Sequence, residues 1–246
     1  MKIAKLLCGV ALGGLLASNV MASGLLYSSP APQSASYGGP YVGVKGGVNW
    51  IGNDPSFFGG DPAGADPVDG PDVLNFDTGF TAGIVGGYAF GQRWGMFSPR
   101  LEVELGYLRN NLSTFSDSAT AAVPTGGDLH AFYALTNLLL DIPVGGFGFT
   151  PFVGAGVGFA NTRISNTVPG LGVDAFSDDT NFAWDVTAGL SYDISRNVTF
   201  DIAYRFLQFT SVRLVNNGIG DGDTPGFASS NRIDSHQITA GVRVHL

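Results

Sequence analysis

The chain is short of cysteine, of charge and of long apolar runs. It has one cysteine, 12 Lys and Arg together, and 13% charged residues in 246. Each shortage excludes something. Cys8 lies inside the apolar run 6–17 and leaves with it, so the mature protein has no disulfide, thiol nucleophile or cysteine metal site. It sits at the start of that run, not after it, which argues against lipoprotein acylation. A soluble domain carries roughly 25% charged residues, so this surface is unlike one that faces water throughout. No segment beyond the first run is long and apolar enough to cross a bilayer as a helix. The net charge of −8 becomes −10 once Lys2 and Lys5 are removed, and an acidic, aromatic-rich chain argues against nucleic acid as a partner.

What is present begins with export. Lys2 and Lys5 precede the apolar run, and the small-residue pattern Val20-Met21-Ala22 follows it. This is the layout of a secretory signal peptide, residues 1–22, cleaved after Ala22. Residues 23–39 are small, polar and proline-bearing, and read as a flexible periplasmic lead-in. From residue 40 to 246 the pattern changes to period two.

Eight segments alternate. The third is the clearest: Leu101, Val103, Leu105 and Tyr107 share one face, and Arg100, Glu102, Glu104 and Gly106 the other. The first opposes Val42, Val44, Val48 and Trp50 to Tyr41, Gly43, Lys45, Gly47 and Asn49. Segments at 77–90, 132–142, 152–159, 184–193, 199–206 and 237–246 behave alike, the fourth less cleanly because Leu135 and Leu139 share a face with Tyr133, Asn137 and Asp141. One apolar and one polar face per strand is the pattern of a lipid-embedded barrel wall. The fold class expected is all-β, an eight-stranded antiparallel transmembrane β-barrel in up-and-down order. An open sheet is excluded, because every backbone group in lipid must be paired, so the eighth strand meets the first. On the lipid face an arginine at Val103 should cost roughly 2 to 4 kcal/mol near the midplane, whereas Gly106→Ser, on the lumen face, should be mild.

The connections alternate between long (51–75, 109–127, 161–181, 208–232) and short (91–98, 143–149, 195–197). Long extracellular loops and short periplasmic turns place both termini in the periplasm. Trp50, Tyr107, Phe132, Phe159, Trp184 and Phe206 lie toward the outer strand ends, and Tyr88, Phe90, Tyr192 and Phe200 toward the inner ones, as two interfacial girdles.

These stretches resemble the OmpA-type and opacity-type family of small outer-membrane barrels. The resemblance rests on YVGVKGGVNW (41–50), RLEVELGY (100–107), PFVGAGVGFA (151–160), FAWDVTAGLSYDIS (182–195), VTFDIAYRF (198–206) and the terminal HQITAGVRVHL. It implies a bacterial outer-membrane protein among lipid and lipopolysaccharide, inserted by the barrel assembly machinery, with a host or surface ligand at the extracellular loops. Two departures stand out: the chain stops at the eighth segment, without a peptidoglycan-binding domain, and it ends in Leu246 where such families end in an aromatic.

The lumen of so narrow a barrel is filled by its own side chains. Its expected charge network is Lys45, Arg100, Glu102, Glu104, Asp185, Asp201, Arg205 and Arg243. Strand three faces strand seven across the ring, so Arg205 reaches toward Glu102 and Glu104. Strand one faces strand five, so Lys45 points at Gly154, Gly156 and Gly158, which leave it room. Two readings follow: a charge-paired plug, or a gate whose pairs exchange partners to pass ions.

Asp54, Asp61, Asp66, Asp69, Asp72, Asp221 and Asp223 fall in the first and last long loops, where carboxylates among glycines suit calcium, but no EF-hand spacing is present. Ser235 and His236 are adjacent on one strand and therefore face opposite ways, and His130 stands apart near the outer end of strand four. The sequence therefore reads as a non-enzymatic structural or cell-surface protein needing no metal or cofactor. A narrow low-conductance channel is the alternative, and a lipid-modifying enzyme the third reading.

Overall fold

Strands alternating apolar and polar residues supply nearly all of the structure. A computed structural model of the protein describes residues 38–52, 56–59, 72–91, 94–117, 120–124, 126–144, 148–168, 173–216 and 226–246. The expected signal peptide, most of the lead-in, and Asp54, Asp61, Asp66, Asp69, Asp221 and Asp223 lie outside the described residues. The strands are β1 (Gly39–Ile51), β2 (Ser56–Gly59), β3 (Asp72–Phe76), β4 (Gly79–Ala89), β5 (Ser98–Asp117), β6 (Thr120–Pro124), β7 (Gly126–Asp141), β8 (Phe149–Val168), β9 (Val173–Asp193), β10 (Val198–Asn216) and β11 (Gly226–His245).

Eight of them form a closed antiparallel ring in the order β1-β4-β5-β7-β8-β9-β10-β11, with β11 returning to β1. The closing pair runs from Tyr41↔His245 to Ile51↔Ser235. Closure leaves no backbone edge facing lipid, which is the condition for a sheet to span a bilayer. The alternation sorts the side chains: Val44, Ile84, Val103 and Leu105 are more than half exposed on the outer wall, while Arg100, Glu102 and Glu104 are buried inside. Ring contacts link the upper aromatics along the wall, with Phe80, Phe132 and His130 all against Tyr107, Phe159 against Phe182, Trp184 against Phe206, and His236 against both Phe206 and Trp50.

At the end of the barrel where β1 begins and β11 ends the turns are short. Trp94 and Phe97 exchange both backbone hydrogen bonds, at 2.7 and 3.2 Å. Gly95, with φ of 64°, is the first central residue of that turn, where a tight hairpin needs a positive φ.

The opposite end corrects the sequence reading. The expected loops 109–127, 161–181 and 208–232 are largely strand. β8 and β9 stay paired to Val168↔Val173, β10 and β11 to Asn216↔Gly226, and β7 and β8 to Gly126↔Thr167. Two short strands lie inside the first long connection: β2 pairs with β11, β3 with β2, and β3 with β5. Beyond the ends of β1 and β4, the β2–β3 hairpin therefore bridges β11 to β5.

Candidate functional site: the barrel lumen

The inward residues form three layers along the barrel axis. Nearest the short turns, Arg243 donates from Nε and Nη2 to Asp201 at 2.5 and 2.9 Å. Ser191 donates to the same carboxylate at 2.6 Å and accepts from Arg243 at 3.1 Å. Arg100 lies 3.1 Å from Asp141 and stacks over Phe152 with 4.7 Å to the ring centroid. Tyr41 donates to Glu102 at 3.1 Å and carries the Arg243 guanidinium at 5.3 Å from its ring centroid.

The middle layer is centred on Glu104, which is fully buried. Arg205 embraces its carboxylate with both terminal nitrogens, Nη1 at 2.8 Å, and Lys45 donates to Oε2. Tyr133 donates to Oε1 at 3.1 Å and Asn137 to Oε2 at 3.4 Å. Arg205 Nε lies 3.1 Å from Asp185, and Lys45 Nζ lies 3.7 Å from Glu102. A two-pronged guanidinium contact with further donors is the geometry a buried carboxylate needs to offset its lost hydration.

Between these layers a cavity of about 40 Å³ is lined by Arg100, Glu102, Arg205, Arg243, Leu139 and Phe152, among others. A water needs roughly 10 to 15 Å³ measured this way, so the space suits a few waters rather than a conduit.

The third layer lies toward the long ribbons and is mostly apolar, with Asn49, Asn110, Thr162, Asn181, Ser235 and Gln237 buried among the apolar side chains. Ile51, Leu108, Leu112, Leu129, Leu135, Leu207, Phe209 and Ile233 form one buried cluster, with Ala131, Tyr133, Ala160 and Ala183. The sequence reading did not foresee this layer, because most of these residues fall in or beside the segments expected to be loops.

Each expected lumen residue has a definite place. Arg205 meets Glu104 and Asp185, while Glu102 is held by Tyr41 and Lys45. Lys45 does not occupy the space left by the strand-five glycines. A Cβ at Gly154 would meet Leu139 at 3.0 Å, and one at Gly156 would meet Asn137 and Asp185 at 1.7 and 2.4 Å, so those side chains use the space. Gly106 is likewise occupied: its Cβ would lie 2.2 Å from the Tyr133 ring, so serine there is not mild. Asp141, Tyr41, Tyr133 and Ser191 complete the network and were not singled out. Their inward parity on the same strands was the available signal.

Ser235 is buried in the lumen, whereas His236 is on the outer wall, accepting or donating at 2.7 Å with the Tyr204 hydroxyl and stacked on Trp50. His130, also outward, lies between Tyr107 (2.5 Å) and Asp128. Among the described residues no three His, Cys, Asp or Glu side chains are grouped as metal ligands.

Comparison with known proteins places this architecture. A family model described as outer membrane protein beta-barrel domain matches residues 20–245. An outer membrane protein of Gluconacetobacter diazotrophicus is 30% identical over 93% of the chain, which spans 63% of that relative's length. The outer membrane protein PagN of Salmonella typhimurium is 28% identical over 38% of the chain and 41% of its own length. The outer membrane protein OprG of Pseudomonas aeruginosa, 13% identical, superposes with a TM-score of 0.59 over 86% of the chain and 99% of its own; that likeness concerns fold alone.

Proposed function

Because the chain belongs to the outer-membrane β-barrel family and sits in the bacterial outer membrane, we propose that it is a non-enzymatic structural and cell-surface protein whose lumen does not conduct. In this reading residues 1–22 direct export, the assembly machinery inserts the barrel, both termini are periplasmic, and the ribbons stand outside to meet a surface or host ligand. The contrast between short turns at one end and long ribbons at the other supports the orientation.

One observation carries the closed-lumen reading: two ion-paired layers lie beneath a layer of buried leucines, isoleucines and phenylalanine. An ion passing along the axis must part Glu104 from Arg205 and then cross apolar side chains. Parting the buried pair and crossing the apolar side chains are each unfavourable. The narrow-channel reading draws on the small cavity between the ion layers, which would serve as a hydrated waypoint if the pairs exchanged partners.

Single-channel recording on the purified protein in planar bilayers separates the two. The plug gives negligible conductance across the working voltage range. Discrete, reproducible openings by the wild-type chain would overturn it in favour of the channel.

A further inference from the structure

The charges of the two ionic layers do not balance. Lys45, Arg100, Arg205 and Arg243 bring four positive charges, and Glu102, Glu104, Asp141, Asp185 and Asp201 bring five negative ones. At a wetted surface solvent absorbs such a difference. Glu104 and Asp185, however, are fully buried, and an uncompensated charge is costly there.

The shortfall is concentrated at Asp185. Arg205 gives both terminal nitrogens to Glu104, which Lys45 also holds, and only its Nε, at 3.1 Å, turns to Asp185 Oδ2. Asp185 Oδ1 has no hydrogen-bond partner among the described residues, and neither has Asn137 Oδ1. The two oxygens meet over a glycine. Asn137, Gly156 and Asp185 stand in register on β7, β8 and β9. The point that a Cβ at Gly156 would take lies 1.7 Å from Asn137 Oδ1 and 2.4 Å from Asp185 Oδ1. Asn137 cannot turn its amide round to serve Asp185, because its Nδ2 donates to Glu104 Oε2 at 3.4 Å. The exchange would set an oxygen against that carboxylate. Two buried acceptors with no donor between them, in a region one positive charge short, call for a cation.

We infer that one small monovalent cation, of the size of sodium, is bound between Asp185 Oδ1 and Asn137 Oδ1. Sodium is close to calcium in radius and takes oxygen ligands at a similar distance, roughly 2.3 to 2.6 Å. Two oxygens gathered within 2.4 Å of one point suit that reach. Calcium itself does not suit the site, because it would overshoot the charge and takes about six to eight oxygens. The ion held there completes the charge of the plug and is not in transit along the axis. A proton on Asp185 would supply the same charge, and salt and pH separate the two.

The test is urea unfolding of the purified protein in detergent, in sodium chloride or N-methylglucamine chloride at equal ionic strength. The bulky organic cation cannot enter the site, so the midpoint is higher in sodium. Above the dissociation constant, each tenfold rise in sodium raises the folded-to-unfolded ratio about tenfold, as binding to one site requires. Asp185→Asn removes the excess charge and offers an amide nitrogen to Asn137 Oδ1, so it folds without sodium and no longer responds to it. Asn137→Ala keeps every charge and weakens the response; it decides the matter should Asp185→Asn not fold. Asp234→Asn, which removes a carboxylate bonded to Gln208 outside the ionic layers, responds as the wild type does. Equal midpoints in the two salts would overturn the proposal, as would a sodium response that Asp185→Asn retains. If equal midpoints also fall as the pH rises, and Asp185→Asn abolishes that fall, the missing charge is a proton and not a metal ion.

Discussion

Below the band of Tyr107, Phe132 and Phe159 the wall is apolar outside and polar inside; above it the same strands turn largely polar outside and hold most of the buried apolar cluster inside, together with a few amides and hydroxyls such as Asn110 and Thr162. Along β5 the inward parity is unbroken through Arg100, Glu102, Glu104, Gly106 and Leu108, but the chemistry changes after Glu104. Outward, Leu101, Val103 and Leu105 give way to Arg109 and Asn111. β7 changes the same way, from outward Leu138 and Ala134 to His130 and Asp128, with Leu129 and Ala131 turned in. β10 puts Leu207 and Phe209 inside and Gln208 and Thr210 outside. One backbone thus serves two solvents. In lipid the interior must hold the polar groups, and in water it must hold the apolar ones. The lesson is that the lower lumen is held by ion pairs and the upper by burial, so different substitutions should break them.

The largest expected effect is in the lower region. Glu104→Ala leaves Arg205 and Lys45 with a buried positive charge, which costs roughly 3 to 5 kcal/mol in well-buried cases. Adding Arg205→Ala restores part of that loss, and urea unfolding in lipid, run as a double-mutant cycle, isolates the coupling. Additive losses would mean that the pair contributes no coupling of its own.

In the upper region Leu207→Ala should cost about 2 to 4 kcal/mol through the cavity it leaves. Unlike Glu104→Ala, it strands no buried charge, so removing an ionic partner cannot restore any of its loss. If adding Arg205→Ala to Leu207→Ala recovers stability in the same urea assay, the division into an ionic and an apolar region fails.

At the junction, Gly106→Ser is expected to cost about 1 to 3 kcal/mol, the range of overpacking. The added atoms push the Tyr133 ring away from Glu104 and away from the apolar cluster it also joins. Tyr133→Phe in the Gly106→Ser background tells which side suffers. If the loss is unchanged, packing is responsible; if it shrinks, the hydrogen bond to Glu104 is.

The smallest intervention tests which region faces outward. A cysteine at Asp66 or Gly222 should react with an impermeant maleimide on intact cells, and one at Asn197, in a short turn, should not. Labelling at Asn197 alone would reverse the orientation.

The inversion also explains what could be read in the sequence. The eight wall strands were legible because apolar and polar residues alternate with the sign that lipid demands, and every inward residue of the third segment is inward in the structure. The ribbons were not, because their alternation has the opposite sign and reads as ordinary polar chain between strands. The lumen residues were legible by parity, but their pairing was not. Whether Arg205 meets Glu102 or Glu104 depends on the stagger of strands around the ring, which alternation does not encode. Lys45 illustrates the same limit: its long side chain reaches Glu104 on β5, two strands away, rather than the glycines opposite.

The seam between β1 and β11 has a consequence for how the barrel is built. It joins Tyr41 to His245, so the contact that completes the wall is also among the most distant in sequence. Such contacts carry the largest loop-closure entropy and form slowly. Until they form, both edges carry unpaired amides and carbonyls that lipid cannot solvate. The seam is also narrow: a Cβ at Gly47 would lie 1.9 Å from the carbonyl oxygen of Ile238, and one at Gly43 2.7 Å from that of Val242. Glycine there lets the first and last strands approach without a side chain in the way, so the pairing that closes the ring is a zipper with few teeth to misalign.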